Sequence, residues 1–349
     1  MTDDRAAFAE RMVATLTGGA MTLMISVGYR TGLFEAAVAG PATSAELAER
    51  AGVHERYVRE WLGAMVTGGF FDHDPRTDRY SLPDAHAPFL TGETAANLAP
   101  MTSMLRAFGG ALPELERCFT EGGGVPHAAF RPHFDAVGAV PGDSWRRIYE
   151  EQLVDGFLAA VPGLVDRLRA GAAVLDLGCG SGHAVRVAAR AFPASRFTGL
   201  DIDAEQVATA RAATEDLPNA TFVVADAAAL PADPAYDVIV AFDAIHDQQD
   251  PDEVLRRVRA ALVPGGVFVM VDAKFSSDLD KNVGHPLAPL CYAISLMYCT
   301  TVSLAEGGAG LGAMWGIERA SDMLRAAGFP DVVVLDSPRA QNCLFVCST

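Results

Sequence analysis

The chain predicts an α/β fold, a seven-stranded doubly wound sheet preceded by a smaller, mostly helical domain. Three observations carry that prediction. From residue 174 onward, short apolar runs alternate with amphipathic helical runs, the pattern of a parallel sheet covered by helices on both faces. One apolar run breaks into a glycine-rich turn, Gly178-Cys179-Gly180-Ser181-Gly182, that opens a helix. The first hundred residues read instead as helix, helix and hairpin. At 349 residues, half of them hydrophobic, the chain can fill two cores.

The N-terminal part is expected to span 1–120. Residues 5–31 predict one long amphipathic helix. Thr43-Ser44 caps a short helix with Glu46 and Leu47 in its first turn, and Gly52 ends it. The next helix, 54–68, carries Tyr57, Trp61, Leu62 and Met65 on a shared face. Residues 70–82 read as a hairpin with a polar tip. Helix, helix, hairpin is a winged helix-turn-helix. Such a domain either reads DNA or serves dimerisation. Charge favours the second use: residues 1–100 hold 8 arginines and no lysine against 13 acids, a net of −5. The presumed recognition helix sets Glu55 and Glu60 beside Arg56 and Arg59, whereas a DNA reader normally shows a basic face. The whole chain is at −17, which opposes nucleic acid and anionic membranes as partners.

Residues 121–142 are rich in glycine and proline and read as a linker or lid. His127 and His133 lie six apart in it and are not expected to bind metal. The six cysteines form no CxxC pair, so buried thiols in a reducing cytoplasm are expected. The N-terminus is too acidic for a signal peptide. The stretch from 282 to 305 carries no formal charge, but Pro289, its polar breaks and its two tyrosines argue for a buried helix rather than a membrane span.

The third segment, 143–349, follows the α/β order. A helix over 145–168, with a break at Pro162, leads in. Strands follow at 174–177, 197–201, 221–226, 236–242 and 266–272, with helices at 184–191, 204–215 and 251–262. A helix at 317–327 and closing strands at 332–335 and 344–347 complete the sheet. Ligands of such sheets bind at the carboxyl ends of the strands.

The glycine loop narrows the ligand. A dinucleotide site wants G-x-G-x-x-G, so that backbone can approach a pyrophosphate. Here the glycines are 178, 180 and 182, and His183 stands where the last fingerprint glycine would be. Asp176 sits at the loop mouth, with no lysine or arginine before Arg186. That carboxylate repels a pyrophosphate and suits a ligand carrying an ammonium and a sulfonium. Asp201, 25 residues on, ends the second strand, where a carboxylate can accept from both hydroxyls of a ribose. Asp203 competes for that role but falls two residues past the strand end. Asp226 ends the third strand, where it could accept from an adenine amino group, with the Ala227 backbone beside it. Strand-end acids also cap helices, but three in order favour a cofactor.

The motif and the three acids resemble class I S-adenosylmethionine-dependent methyltransferases over 145–349. With its winged helix the chain looks most like actinobacterial methyltransferases of that two-domain build, and more distantly like O-methyltransferases of the caffeic-acid type. The resemblance implies a Rossmann-like sheet binding S-adenosylmethionine. Asp176, Gly178, Gly180 and Gly182 would hold its methionine part, Asp201 the ribose and Asp226 the adenine, with Ile202, Ala227 and Phe242 also in the cofactor site. It also implies a homodimer built on the N-terminal helices.

After the fourth strand, Phe242-Asp243-Ala244-Ile245 is not the (N/D)PP(Y/F) tetrapeptide of nucleic-acid amino-methyltransferases. His246-Asp247 matches the His-Asp pair whose histidine is the general base in the caffeic-acid group. Imidazole titrates near neutrality and can take a proton from a hydroxyl acceptor. Asp272 stands as its carboxylate partner; a second partner near Met314, Trp315 and Gly316 is not evident. The alternative is a histidine capping the helix that starts near Pro251. An acceptor pocket is expected from Trp145, Tyr149, Met297, Tyr298 and Trp315, whose aromatic and thioether side chains suit a small apolar molecule. The function expected is methyl transfer to such a molecule. The alternatives are a transcription regulator that senses S-adenosylmethionine, or the same fold performing other chemistry.

Overall fold

A computed structural model describes residues 2–137 and 143–349; Gly138, Pro141 and Gly142 of the expected linker lie outside them. The chain divides into two compact units, one of Met1–Gly109 with Pro132–Arg147 and one of Gly110–Arg131 with Ile148–Thr349.

In the first unit the long helix is Thr2–Arg30. Its N-terminal half leaves Phe8, Met12, Val13 and Leu16 exposed, while Met21, Met24, Ile25 and Val27 pack on the unit's core. Thr43 and Glu46 close a reciprocal capping box on the helix Ser44–Ala51, which Gly52 ends in a left-handed turn. The helix Glu55–Thr67 buries Val58, Trp61, Leu62 and Met65. Tyr57 is a correction: it is 78 % exposed, because on a 3.6-residue period Val58 falls on the inner face. Trp61 meets Phe34 and Phe71 edge-on, with centroids 5.3 and 5.4 Å apart. Strands β1 (Asp72–Asp74) and β2 (Arg79–Ser81) form the antiparallel wing. Arg56 pairs with Glu60 and Arg59 with Glu55, each one turn away, so the helix neutralises its own cations.

In the second unit the strands are β3 (Ala173–Leu177), β4 (Arg196–Asp201), β5 (Ala220–Val224), β6 (Tyr236–Phe242), β7 (Leu262–Ala273), β8 (Asp331–Asp336) and β9 (Asn342–Ser348). Their order is β5-β4-β3-β6-β7-β9-β8. The first five are parallel, and β9 runs antiparallel between β7 and β8. The order reverses between β3 and β6, which places a crevice at their carboxyl ends. Leu175, Leu177, Ile239, Ala241, Phe268, Met270 and Phe345 are buried in the sheet's core. Each large one contributes about 1.5–3 kcal/mol by leaving water.

Four local expectations are corrected. Residues 127–136 are not loop: a helix spans His127–Ala136, with Pro132 inside it. The expected 145–168 helix is Asp143–Gln152, then a wider-wound turn at Leu153–Leu158, then Leu164–Ala170 after a break at Gly163. Strand β5 stops at Val224, so Asp226 stands beyond the strand. Strand β7 starts at Leu262 rather than 266, pairing through a register irregularity opposite Tyr236 and Val238.

Two helical runs, 4–30 and 288–305, are long and apolar enough to cross a membrane by length and composition. The second is wound wider at Ser295–Thr300 and buries Ser295, Thr301 and Ser303 within the protein, as a helix packed on a domain does.

Candidate functional site

The glycine loop follows β3. Gly178 and Cys179 donate their backbone N–H groups to the Leu200 carbonyl at 2.8 and 3.1 Å, tying the loop to β4. Gly178, Gly180 and Gly182 have φ of +73, +49 and +73°, a region in which an L side chain is strained. Space adds to the requirement at two of them. A Cβ on Gly182 would stand 2.6 Å from Phe222, and one on Gly178 2.6 Å from the Ala244 Cβ. A Cβ on Gly180 would meet nothing within 4 Å, so this turn faces open space.

The expected cofactor acids divide. Asp176 is 5 % exposed beneath the loop. Burial, with Asp201 adding to it, pushes its carboxyl up to about 7. Asp201 accepts from Gly180 N–H at 2.8 Å and from Asp203 N–H at 2.9 Å, one bond per oxygen. Each carboxylate oxygen keeps a lone pair for a further donor. Asp203 caps the helix Ala204–Ala212, its Oδ1 accepting from Glu205 and Gln206 N–H. Asp226 is exposed and accepts from Ala228 N–H at 2.8 Å, while Ala227 is buried. Ile202 is 69 % exposed beside Asp201. Phe242 is buried at the end of β6, edge-on to Tyr149 and Phe157.

Beyond β6 the chain turns through Asp243, whose φ of +47° is uncommon for a residue with a side chain. Its N–H donates to Val271 at 2.9 Å. That turn delivers His246 to the end of β7. Both atoms of the Asp272 carboxylate lie by His246 Nδ1, at 2.9 and 3.0 Å, and Ala273 N–H donates to Asp272 Oδ1 at 2.7 Å. His246 is 2 % exposed and Asp272 not at all. The helix-cap alternative is excluded, since Asp250 caps the helix Pro251–Ala261. Burial pulls the imidazole down, but Asp272 and Asp247 outweigh it and the net shift is upward. His246 Nε2 faces Asp247 Oδ1 at 3.4 Å, with Cys299 alongside.

The two halves of the site adjoin. Gly178 packs on Ala244, two residues before His246. Burial raises the Tyr149 phenol far above its usual range, and Asp176 and Asp243 both add to that shift, so one ring senses the acids of both loops.

Of the expected pocket residues, Tyr149 lies there against Phe242. Tyr298 stands edge-on to Phe130 and within 3.4 Å of His127. Met297 is half-buried beside it. Trp315 belongs to the core under the sheet, 3 % exposed. Trp145 belongs to the other unit. His127 and His133 share a helix six residues apart, hence on different faces.

Residues 19–92 match the family model of an Rv2258c-like winged HTH domain, and residues 168–328 match that of a methyltransferase domain. The chain thus carries a winged HTH domain followed by a methyltransferase domain. Trans-aconitate 2-methyltransferase of Variovorax paradoxus is 36 % identical over 129 residues, 36 % of this chain. The match spans 47 % of that relative, so the chain spans about half the length of the first curated relatives it matches. Acetylserotonin O-methyltransferase of Mus musculus is 29 % identical over 279 residues, 72 % of this chain and 70 % of its own. The solved human N-acetylserotonin methyltransferase in complex with SAM superposes with a TM-score of 0.72 at 19 % identity, covering 98 % of this chain and 97 % of that one. At that identity the likeness is one of fold.

Sequence reasoning missed three residues of the methyltransferase domain's crevice. Asp243 bears the strained turn, and burial with Asp272 pushes its carboxyl up to about 7. Asp247 was visible only as the second half of a His-Asp pair. Cys299 reads in sequence as one more isolated thiol, because nothing local links residue 299 to 246.

Proposed function

We propose that the chain transfers a methyl group from S-adenosylmethionine to an oxygen of a small molecule, with His246 as the general base and Asp272 holding it. The observation that carries this reading is the packing of Gly178 on Ala244, which sets the glycine loop against the loop that carries His246.

The residues fit the cofactor. Asp176 is a buried carboxylate with no cation among the causes that set its pKa, and an ammonium supplies the missing charge. Gly180 leaves its face of the loop open, and Asp201 retains acceptor capacity for a ribose diol. Ile202 offers an exposed apolar platform next to it, and Ala227 with Asp226 an edge for a base. When bound, S-adenosylmethionine supplies a methyl group already activated on a sulfonium. The protein's tasks are to align the acceptor and remove its proton. Asp272 fixes the tautomer by accepting from Nδ1–H, which leaves the Nε2 lone pair to take the acceptor's proton. Buried Phe130 and Phe242, with half-buried Tyr298, keep water from the acceptor's surroundings.

The cofactor and an oxygen acceptor are supported by the methyltransferase match and by relatives whose names are O-methyltransferases. Trans-aconitate 2-methyltransferase and a fatty-acid O-methyltransferase of Mycolicibacterium smegmatis are named for acids, and acetylserotonin O-methyltransferase for acetylserotonin. A hydroxyl or carboxyl acceptor fits a base of this kind. The exposed stripe of Phe8, Met12, Val13 and Leu16 supports a homodimer through the N-terminal helix, to be checked by sedimentation of Leu16→Glu. Self-paired arginines on the helix Glu55–Thr67 and the net charge speak against DNA as the partner. The six free thiols accord with a cytoplasmic setting, which cell fractionation would test.

Labelled S-adenosylmethionine with a panel of hydroxyl and carboxyl acceptors tests the reading. Label should reach an acceptor, and His246→Ala should lower the rate about 10²–10⁴-fold, the usual worth of a positioned base. Full activity in that variant would remove His246 from the role.

A further inference from the structure

We infer that His246, Asp247 and Cys299 form a binding site for a thiophilic divalent cation of the zinc type, and that an ion there closes the base. His246 Nε2, an Asp247 oxygen and Cys299 Sγ lie within 4.8 Å of one another, with His246 and Cys299 buried and Asp247 half-buried. Imidazole, carboxylate and thiolate are the donor types that hold zinc with one position left open. Zinc's bonds of about 2.0–2.3 Å put tetrahedral ligands roughly 3.3–3.8 Å apart. Nε2 and Asp247 Oδ1 already stand 3.4 Å apart. The thiol needs a displacement of at most about 1 Å, roughly a 30° turn about its χ1.

Two further features point to a cation. Asp247 Oδ1 is buried and has no hydrogen-bond partner, although it faces a ring nitrogen. With Nδ1–H committed to Asp272, the lone pair of Nε2 would confront that of Oδ1 unless a positive centre stands between them. Either a proton or a metal ion fills that need; the Cys299 thiol, which already hydrogen-bonds to Asp247 and His246, becomes a third ligand only to an ion. The second feature is Asp272 itself. Its grip on Nδ1 is the carboxylate–histidine arrangement that orients metal-bound imidazoles and raises their basicity.

Nε2 has one lone pair, so an ion on it excludes proton abstraction. Thiophilic cations should therefore inhibit the chain; this consequence, unlike the site, rests on His246 being the base. Binding would release to solvent the Cys299 proton and any proton held on His246 Nε2, and involves no redox step.

The test uses the full chain freed of metal, with cobalt(II) and zinc(II) as probes. One cobalt per chain is expected, with a thiolate-to-cobalt charge-transfer band and the visible bands of four-coordinate cobalt, both displaced by zinc. Cys299→Ser should lose the charge-transfer band. Asp272→Asn should weaken zinc about 10–100-fold while circular dichroism confirms its fold. A folded wild type without the band overturns the site, and so does a band that survives in Cys299→Ser, since another of the six cysteines would then hold the ion. S-adenosylhomocysteine calorimetry on the same samples separates the claims. Binding without the cobalt band sinks the metal site alone; the band without binding sinks the methyl-transfer reading alone.

Discussion

Replacing Asp272 with Asn is the sharpest perturbation of the proposed base, because the structure fixes which way the new amide must point. Ala273 N–H donates to Asp272 Oδ1 at 2.7 Å, and the residue is fully buried. An asparagine keeps that bond only with its carbonyl oxygen there. Its NH₂ group then occupies the place of Oδ2, 2.9 Å from His246 Nδ1. A donor facing Nδ1 forces the ring proton onto Nε2, the atom that must accept. Shape and volume barely change, so stability should fall by no more than the difference between a charged and a neutral hydrogen bond, about 1–2 kcal/mol. The rate should fall about 10²–10⁴-fold, as for loss of a general base. The assay is label transfer under saturating acceptor, beside calorimetry of S-adenosylhomocysteine, whose affinity should not move. A variant that melts normally and transfers at the wild-type rate would refute the tautomer argument.

The other predictions concern charge and the glycine loop. Asp176→Asn should weaken S-adenosylmethionine by roughly 10–150-fold, the equivalent of about 1.5–3 kcal/mol for a charge-assisted hydrogen bond, as read by calorimetry. In the wild type the Asp176 carboxyl is held at about 7, so below that pH binding must expel its proton, and affinity should decline as pH falls. An affinity flat from pH 5 to 8 would contradict this. Gly180→Ala and Gly182→Ala both carry the left-handed strain of roughly 1–2 kcal/mol. Only Gly182→Ala also strikes Phe222 and Ala210, so it should melt lower, whereas Gly180→Ala should fold and lose cofactor affinity. The base must be neutral to act and its pKa is raised, so kcat/KM should fall toward acid with a midpoint above the ordinary imidazole value of about 6.5. Asp272→Asn should move that midpoint downward.

What the sequence made legible follows from how local each signal is. The capping box at Thr43 and Glu46, the strands at 174–177 and 236–242, and the glycine turn are encoded within a few residues, and they stand where expected. Asp201 against Asp203 needed the structure, because both acids precede the same helix and only the hydrogen bonds show that Asp203 caps it while Asp201 holds the Gly180 turn. Tyr57 differed from Val58 by one residue of helical phase. The helix His127–Ala136 was hidden by Pro132, which ordinarily breaks a helix. Asp247 and Cys299 meet across 52 positions, and no periodicity reports such a contact. The pairing of His246 with Asp272, 26 residues away, was legible only because the adjacency of β6 and β7 and a known family's pattern stood behind it.

The central claim is that one crevice holds the cofactor and a base beside it. Its most direct measurement is a paired one on wild type and His246→Ala, recording S-adenosylhomocysteine binding by calorimetry and transfer of labelled methyl to hydroxyl or carboxyl acceptors. The account predicts equal binding by both proteins and transfer about 10²–10⁴-fold slower in the variant. A folded wild type that fails to bind, or a variant that binds and transfers at the full rate, would contradict it.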